Sequence, residues 1–380
     1  MRKCGDHNKN ILIYCIYTII LAGVLFNFSS WGCRTAEPLA QKFESETGAA
    51  EIIPAESSTL KTAEFENDVP ESTEAADEVV FTFTVAGDNR PADDLLPQPA
   101  VFIKLLEYMK DAAPVFFINT GEIINGKTGS EETVIRQFKD YLNAVSTLGD
   151  LNFVSCGNHD ISNSTSRKYF NELINGPVFE SAESFGIKIN SEKTGDTEDN
   201  NGAADNNASN ISVKYKNLYY YFKYENVYFV ILNAYEEGLW GFIKDRQLSW
   251  LEKILDVLKN EDVFIFIHPP VFSYLNPDCI TDGSKHVAFS SKKNQDYIRE
   301  LFKEFKVDAV FSGHDHMFYR ETHDGTEYII TGCSGAYPYV TEEEGGFYHF
   351  LKIDVKPNSW ILTVIDKNGD IFSEDEIPFN

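Results

Sequence analysis

Five short runs rich in Val, Ile and Phe lie between residues 79 and 312, and each leads straight into polar residues suited to metal binding. The runs are Val79–Ala86, Val115–Asn119, Asn152–Ser155, Val263–Ile267 and Ala309–Ser312. Apolar stretches this short, rich in β-branched and aromatic side chains, predict buried strands. They are followed by Gly87-Asp88-Asn89-Arg90, Gly121-Glu122, Gly157-Asn158-His159-Asp160, His268-Pro269-Pro270 and Gly313-His314-Asp315-His316. Open α/β sheets bind ligands at the carboxyl ends of their strands, so these segments are candidates for one common site. The glycines are expected to let the backbone turn sharply and aim the next side chain inward.

Amphipathic helices alternate with the strands. Val134, Ile135, Phe138, Tyr141, Leu142 and Val145 recur at helical spacing. The same holds for Leu248, Leu251, Ile254, Leu255 and Leu258, and for Tyr297, Ile298, Leu301, Phe302 and Phe305. Tyr219–Lys223 and Val227–Asn233, joined at Glu225-Asn226, predict a β-hairpin. Phe347–Val355, Trp360–Asp366 and Ile371-Phe372 predict further antiparallel strands. The fold class is α/β with a substantial mixed sheet.

A formal net charge of -26 argues against non-specific binding to nucleic acid, which needs a Lys/Arg surface. It would also repel a phosphate-bearing substrate, so such a site needs its own positive charge. Cys4, Cys15, Cys33, Cys156, Cys279 and Cys333 show neither a disulfide framework nor zinc-ribbon spacing.

Arg2, Lys3 and Lys9 precede an uncharged run from Ile11 to Phe28, the layout of an export signal or membrane anchor over residues 1–33. Gly32-Cys33 resembles the end of a bacterial lipoprotein signal, although Ser30 and Trp31 depart from that pattern. Lipidation of Cys33, an uncleaved anchor and a cleaved signal all stay open. Residues 34–78 are acidic, poor in aromatics and without period, which predicts a disordered tether. The remainder, 79–380, reads as one domain, with a mobile polar insertion over 184–210. The expected location is therefore extracytoplasmic, with membrane contact through the N-terminus only.

Singly, each strand-end segment could be a turn or a satisfied core residue; together, and in this order, they are specific. Carboxylate, amide oxygen and imidazole suit zinc, manganese or iron better than calcium. The order Asp, Gly-Asp, Gly-Asn-His-Asp, His, Gly-His-x-His resembles the signature of the calcineurin-like metallophosphoesterases, from about Phe81 to the C-terminus. That resemblance implies a four-layer αββα sandwich with mixed β-sheets, two divalent metal ions and hydrolysis of phosphomonoesters or phosphodiesters. It implies that Asp88 and His316 bind the first metal, that Asn158, His268 and His314 bind the second, and that Glu122 bridges. It further implies that His159 contacts the phosphate and assists the leaving group, with Asp160 orienting it.

Two positions depart from the family pattern. Arg90 stands where a metal-binding His is usual; a guanidinium cannot ligate a metal, which leaves a phosphate clamp, the favoured reading, or a structural salt bridge. Glu122 replaces the bridging Asp and adds a methylene, and Asn125 stands where a further Asp often follows. The first metal is thus expected to be weakly held. A phosphoester hydrolase is the leading expectation. A binder of phosphorylated ligands with little turnover is the alternative, and a metal-stabilised structural domain the third. Substrate specificity is expected to reside in residues 161–212 and in the loop after His268.

Overall fold

Alternation along the first strand sets the architecture. In β1 (Phe81–Ala86), Phe81, Phe83 and Val85 enter an apolar layer, while Thr84 and Ala86 turn to the other face and are also buried. Val79 and Val80, expected within this strand, are exposed and precede it. The computed structural model describes residues 78–127, 129–191, 218–236 and 239–380, all within the unit Ser72–Asn380. The expected export signal or anchor and nearly all of the expected tether fall outside the described residues. Among the described residues, no helix is long and apolar enough to cross a membrane.

Beyond β1 come α1 (Ala100–Asp111), β2 (Phe117–Asn119), α2 (Glu131–Val145), β3 (Asn152–Val154), α3 (Ser164–Tyr169) and α4 (Gly176–Ser184). A hairpin of β4 (Tyr220–Tyr224) and β5 (Val227–Ile231) is followed by a small ribbon, β6 (Tyr235–Glu236) with β7 (Leu239–Trp240). Next are α5 (Asp245–Leu258), β8 (Asp262–Phe266), α6 (Lys292–Glu304) and β9 (Ala309–Ser312). The chain closes with β10 (Phe318–His323), β11 (Thr326–Thr331), β12 (His349–Val355), β13 (Ser359–Asp366) and β14 (Ile371–Pro378).

Two six-stranded mixed sheets result, with orders β14-β13-β12-β1-β2-β3 and β10-β11-β9-β8-β5-β4. On one side of the first, β1, β2 and β3 run parallel; at the centre of the second, β5, β8, β9 and β11 do. The sheets face each other across a phenylalanine-rich layer: Phe229 meets Phe83 edge to face at 5.2 Å, and Phe222 stacks on Phe153 at 4.3 Å. Leu105, Val134 and Phe138 from α1 and α2, with Leu251 and Ile298 from α5 and α6, belong to a second apolar set with outward-facing strand residues such as Phe117 and Ile265. The order is helix, sheet, sheet, helix, the expected four-layer αββα sandwich.

The first part of the expected insertion packs onto the fold. Ile187 and Ile189 alternate into the core, and Asn190 exchanges two 2.8 Å backbone hydrogen bonds with Tyr221. The rest of the expected insertion, from residue 192, lies outside the described residues. Cys156, Cys279 and Cys333 are free and buried.

Candidate active site

The parallel strands of each sheet bring their carboxyl ends to the same edge, and the strand-end residues meet there. Asp88, Glu122 and His314 adopt left-handed backbone conformations, with φ of 54°, 58° and 71°. Non-glycine residues rarely do so, and such strain concentrates at functional sites. The expectation that the glycines make the turns is therefore corrected at three motifs, where the glycine serves close approach. A Cβ on Gly87 would collide with Thr120 Oγ1 and one on Gly313 with Asp88 Oδ2, and one on Gly157 would stand 2.6 Å from the Glu122 nitrogen.

Two sets of candidate ligands share Glu122. Glu122, His268 and His314 form one, and Asp88, Glu122 and His316 the other; within each, the ligand atoms lie within 4.8 Å of one another. All of these residues are buried. The imidazoles are oriented by backbone carbonyls on their far side. His268 Nδ1 donates to Thr120 O at 2.8 Å, His316 Nδ1 to Tyr337 O at 2.8 Å, and His314 Nε2 to Val287 O at 3.0 Å. Metal-binding histidines are oriented in the same way, with the other nitrogen left to the ion.

Those remaining nitrogens point at oxygens. His268 Nε2 stands 3.7 Å from Glu122 Oε1, and His316 Nε2 stands 3.4 Å from Asp88 Oδ1 and 3.6 Å from Glu122 Oε2. His314 Nδ1 faces Asn158 Oδ1 at 3.2 Å. Charge-assisted hydrogen bonds close to about 2.8 Å, whereas two donors on one tetrahedral ion at about 2.1 Å stand roughly 3.4 Å apart. Asp88 Oδ1 and His268 Nε2 are buried with no hydrogen-bond partner among the described residues. The residues present thus fit a pair of divalent cations.

Electrostatics agree. Burial opposes charge on His316, yet Asp88 and Glu122 outweigh it and push its pKa up to about 10. His268 is raised in the same way, against its burial, by Asp88 and Glu122. Glu122 is itself held well below the carboxylate range: burial works against ionisation, but His159, His268, His316 and Arg90 prevail. Burial, followed by His286 and His268, keeps His314 neutral, the form that ligates. A centre this negative attracts protons where no other cation is offered, and a metal competes for the same nitrogens.

Three residues of the expected site take specific partners. Arg90 Nε lies 2.5 Å from Glu122 Oε2, so a salt bridge to the shared carboxylate forms at the position where the phosphate clamp is expected. The added methylene of Glu122 lets one oxygen reach Arg90 and His316 while the other faces His268 and His159, the latter at 3.8 Å. Asp160 does not orient His159. Its Oδ2 accepts from the Glu122 and Gly157 nitrogens at 2.8 Å, and its Oδ1 from those of Ile123 at 2.8 Å and Ile124 at 3.3 Å. Burial raises its pKa to about 6 in spite of these bonds. The His159 ring is held instead by Asn125, whose carbonyl oxygen accepts from Nδ1.

Sequence reasoning missed the amide chain beneath the site. Asn119 Nδ2 donates to Asn89 Oδ1 at 2.8 Å, and Asn89 Nδ2 to Gln98 Oε1 at 2.6 Å. Gln98 Nε2 in turn donates to Ile123 O at 2.9 Å, tying the first two strand-end loops together. Asn119 and Asn89 stood within or beside the expected motifs, and a buried amide there was the available signal. Tyr339 was also missed; its ring stacks on His316 with centroids 3.9 Å apart.

A two-sheet αββα sandwich carrying Asp, Glu, Asn and three His at its strand ends defines a metallophosphoesterase. The profile of the calcineurin-like phosphoesterases matches residues 81–318, well over half of the chain, and the protein belongs to that family. Purple acid phosphatase 23 of Arabidopsis thaliana is 29% identical over 143 residues. That match covers 37% of this chain and 27% of the plant protein, so the chain spans about a quarter of that relative's length. A dimetal phosphatase from Danio rerio superposes with a TM-score of 0.53 at 15% identity, over 80% of this chain and 100% of the fish protein. GAP50, named as the anchor in the inner membrane complex of Plasmodium, gives 0.52 at 13% identity, over 80% and 90%. These two likenesses show the fold.

Proposed function

We propose that this protein is a divalent-metal-dependent hydrolase of phosphomonoesters or phosphodiesters that works on the extracytoplasmic side of a membrane. The observation that carries the catalytic part is Glu122, one carboxylate common to two sets of metal-ligand atoms. Asp88 and His316 would hold the first ion, Asn158, His268 and His314 the second, and Glu122 both. Manganese, zinc or iron suits these donors. Two such ions lower the pKa of a bound water, polarise phosphoryl oxygens and steady the leaving oxygen.

His159 is only part-buried, with its Nδ1 fixed by Asn125 and its Nε2 turned toward Glu122. From there it can hold a phosphoryl oxygen or hand a proton to the leaving group. Asp160 keeps the Glu122 and Gly157 backbones in register, which makes it a positioning residue. The extracytoplasmic part rests on Arg2, Lys3 and Lys9 before the apolar run Ile11 to Phe28, with Cys33 behind it as the candidate site of lipidation. Residues 34–78 would serve as the tether.

A second reading, a binder of phosphorylated ligands with little turnover, is favoured by the Arg90–Glu122 pair. A guanidinium on the shared carboxylate repels the first ion and uses one of its ligand atoms. The fold alone does not choose between the readings, since one fold hosts many functions and one relative is named as an anchor. The test is nitrophenol release from mono- and bis-nitrophenyl phosphate by the full chain, before and after chelation and with manganese, zinc or iron restored. Hydrolysis that disappears with the metal and returns with it is expected. Absence of turnover on both esters with every metal would leave the binder.

A further inference from the structure

His286 lies on the loop between β8 and α6, away from any strand-end motif, yet its ring stacks on His314 with centroids 4.3 Å apart and 27° between planes. On another side it meets Tyr339 edge to face at 5.2 Å. His286 Nε2 faces Asp315 Oδ1 across 3.8 Å. Asp315 is fully buried, and its other oxygen is already engaged, accepting from Ser273 Oγ at 2.7 Å and Leu275 N at 3.4 Å. Both Asp315 Oδ1 and His286 Nε2 are buried atoms without a hydrogen-bond partner among the described residues.

A direct ion pair between these groups would close to about 2.8 Å. The observed gap instead resembles that between two ligands of one ion, which stand roughly 3.4 Å apart on a tetrahedral centre. The ligand atoms of His286, His314 and Asp315 also lie within 4.8 Å of one another. Imidazole and carboxylate donors of this kind suit zinc, manganese or cobalt.

We infer that His286 and Asp315 form a further divalent-cation position, walled by the His314 ring, beside the two that share Glu122. His314 turns Nδ1 toward Asn158 and donates Nε2 to Val287 O, so it packs against this position without ligating it, and with two protein ligands the further ion binds more weakly than the pair. In a chain of net charge -26, an extra cation here adds positive charge on the substrate's approach to the site.

The test is a titration of the chelator-stripped full chain with zinc or manganese alone, with bound equivalents counted by elemental analysis and affinities read by calorimetry. The wild type is expected to take up three equivalents, the last at least tenfold more weakly, and His286→Ala two. His286 is part-exposed, so the variant should fold, and an unchanged circular dichroism melt checks this. Asp315→Asn is expected to lose the same equivalent. Glu122→Ala should lose the two tight ions and keep the His286-dependent one. Equal stoichiometry and affinities in wild type and His286→Ala would overturn the inference, as would a wild type whose every ion disappears in Glu122→Ala. Full retention of all ions in Glu122→Ala would instead defeat the phosphoesterase reading, while His286→Ala would still decide the further position.

Discussion

Arg90 and Glu122 form a part-buried ion pair, Nε to Oε2 at 2.5 Å, inside the set of residues that would hold two metal ions. A permanent cation thus sits beside the carboxylate that two ions would share. Removing it in Arg90→Ala relieves repulsion at the Asp88–His316 position. The weaker of the two Glu122-dependent ions should then bind about tenfold more tightly, about 1.4 kcal/mol, in calorimetric titrations. KM for nitrophenyl phosphate should rise if the guanidinium also meets the substrate. An unchanged metal affinity would mean that Arg90 does not compete.

Glu122 satisfies both ligand sets through its extra methylene and a left-handed backbone. Shortening it in Glu122→Asp draws the carboxylate back by more than about 1 Å, beyond the few tenths that metal sites tolerate. A loss of kcat/KM of at least about a hundredfold is expected, since 1 Å of misplacement costs that much. A gain in activity would mark the glutamate as decay from an aspartate site.

Asp160 ties four backbone N–H groups from two strand ends. In Asp160→Asn one oxygen becomes an NH2 that faces donors it cannot satisfy. Burial makes that mismatch cost about 2–4 kcal/mol, as for other buried unsatisfied groups near charge. Urea denaturation would show the loss, and metal affinity should fall with it. A stability equal to wild type would contradict the role.

His349 supplies a pH dependence separate from the metal ligands. Burial lowers its pKa from 6.5 to about 4, while its Nδ1 donates to Phe347 O and its Nε2 faces Thr331 Oγ1. The unfolded chain takes up a proton below pH 6.5 that the folded chain refuses until about pH 4. Stability from this group is therefore present above 6.5 and lost as pH falls through that window, by roughly 3 kcal/mol. His349→Gln should flatten the urea-midpoint profile over the same range, and an unaltered slope would refute the assignment.

Much of this was legible because five buried runs each end in a glycine or a proline-flanked histidine beside ligand-type residues. The central strands and three helices follow from periodicity alone. β10 was not foreseen, because Phe318–His323 is half-buried and charged and carries no buried-strand pattern, and β11, although buried throughout, has its short apolar stretch Tyr328–Ile330 flanked by Thr and Glu. The core role of Ile187 and Ile189 was hidden by the polar residues around them. His286 lies in a polar loop with no motif of its own. The Arg90–Glu122 pair joins positions 32 residues apart, and only the fold brings them together.

The most direct measurement is the anomalous X-ray scattering of crystals of the full chain grown with manganese. The account predicts two strong peaks about 3.5–4 Å apart, each in contact with a Glu122 oxygen, one beside Asp88 and His316 and the other beside Asn158, His268 and His314, apart from the weaker third at His286 and Asp315. A single peak, or peaks that leave Glu122 untouched, would contradict it.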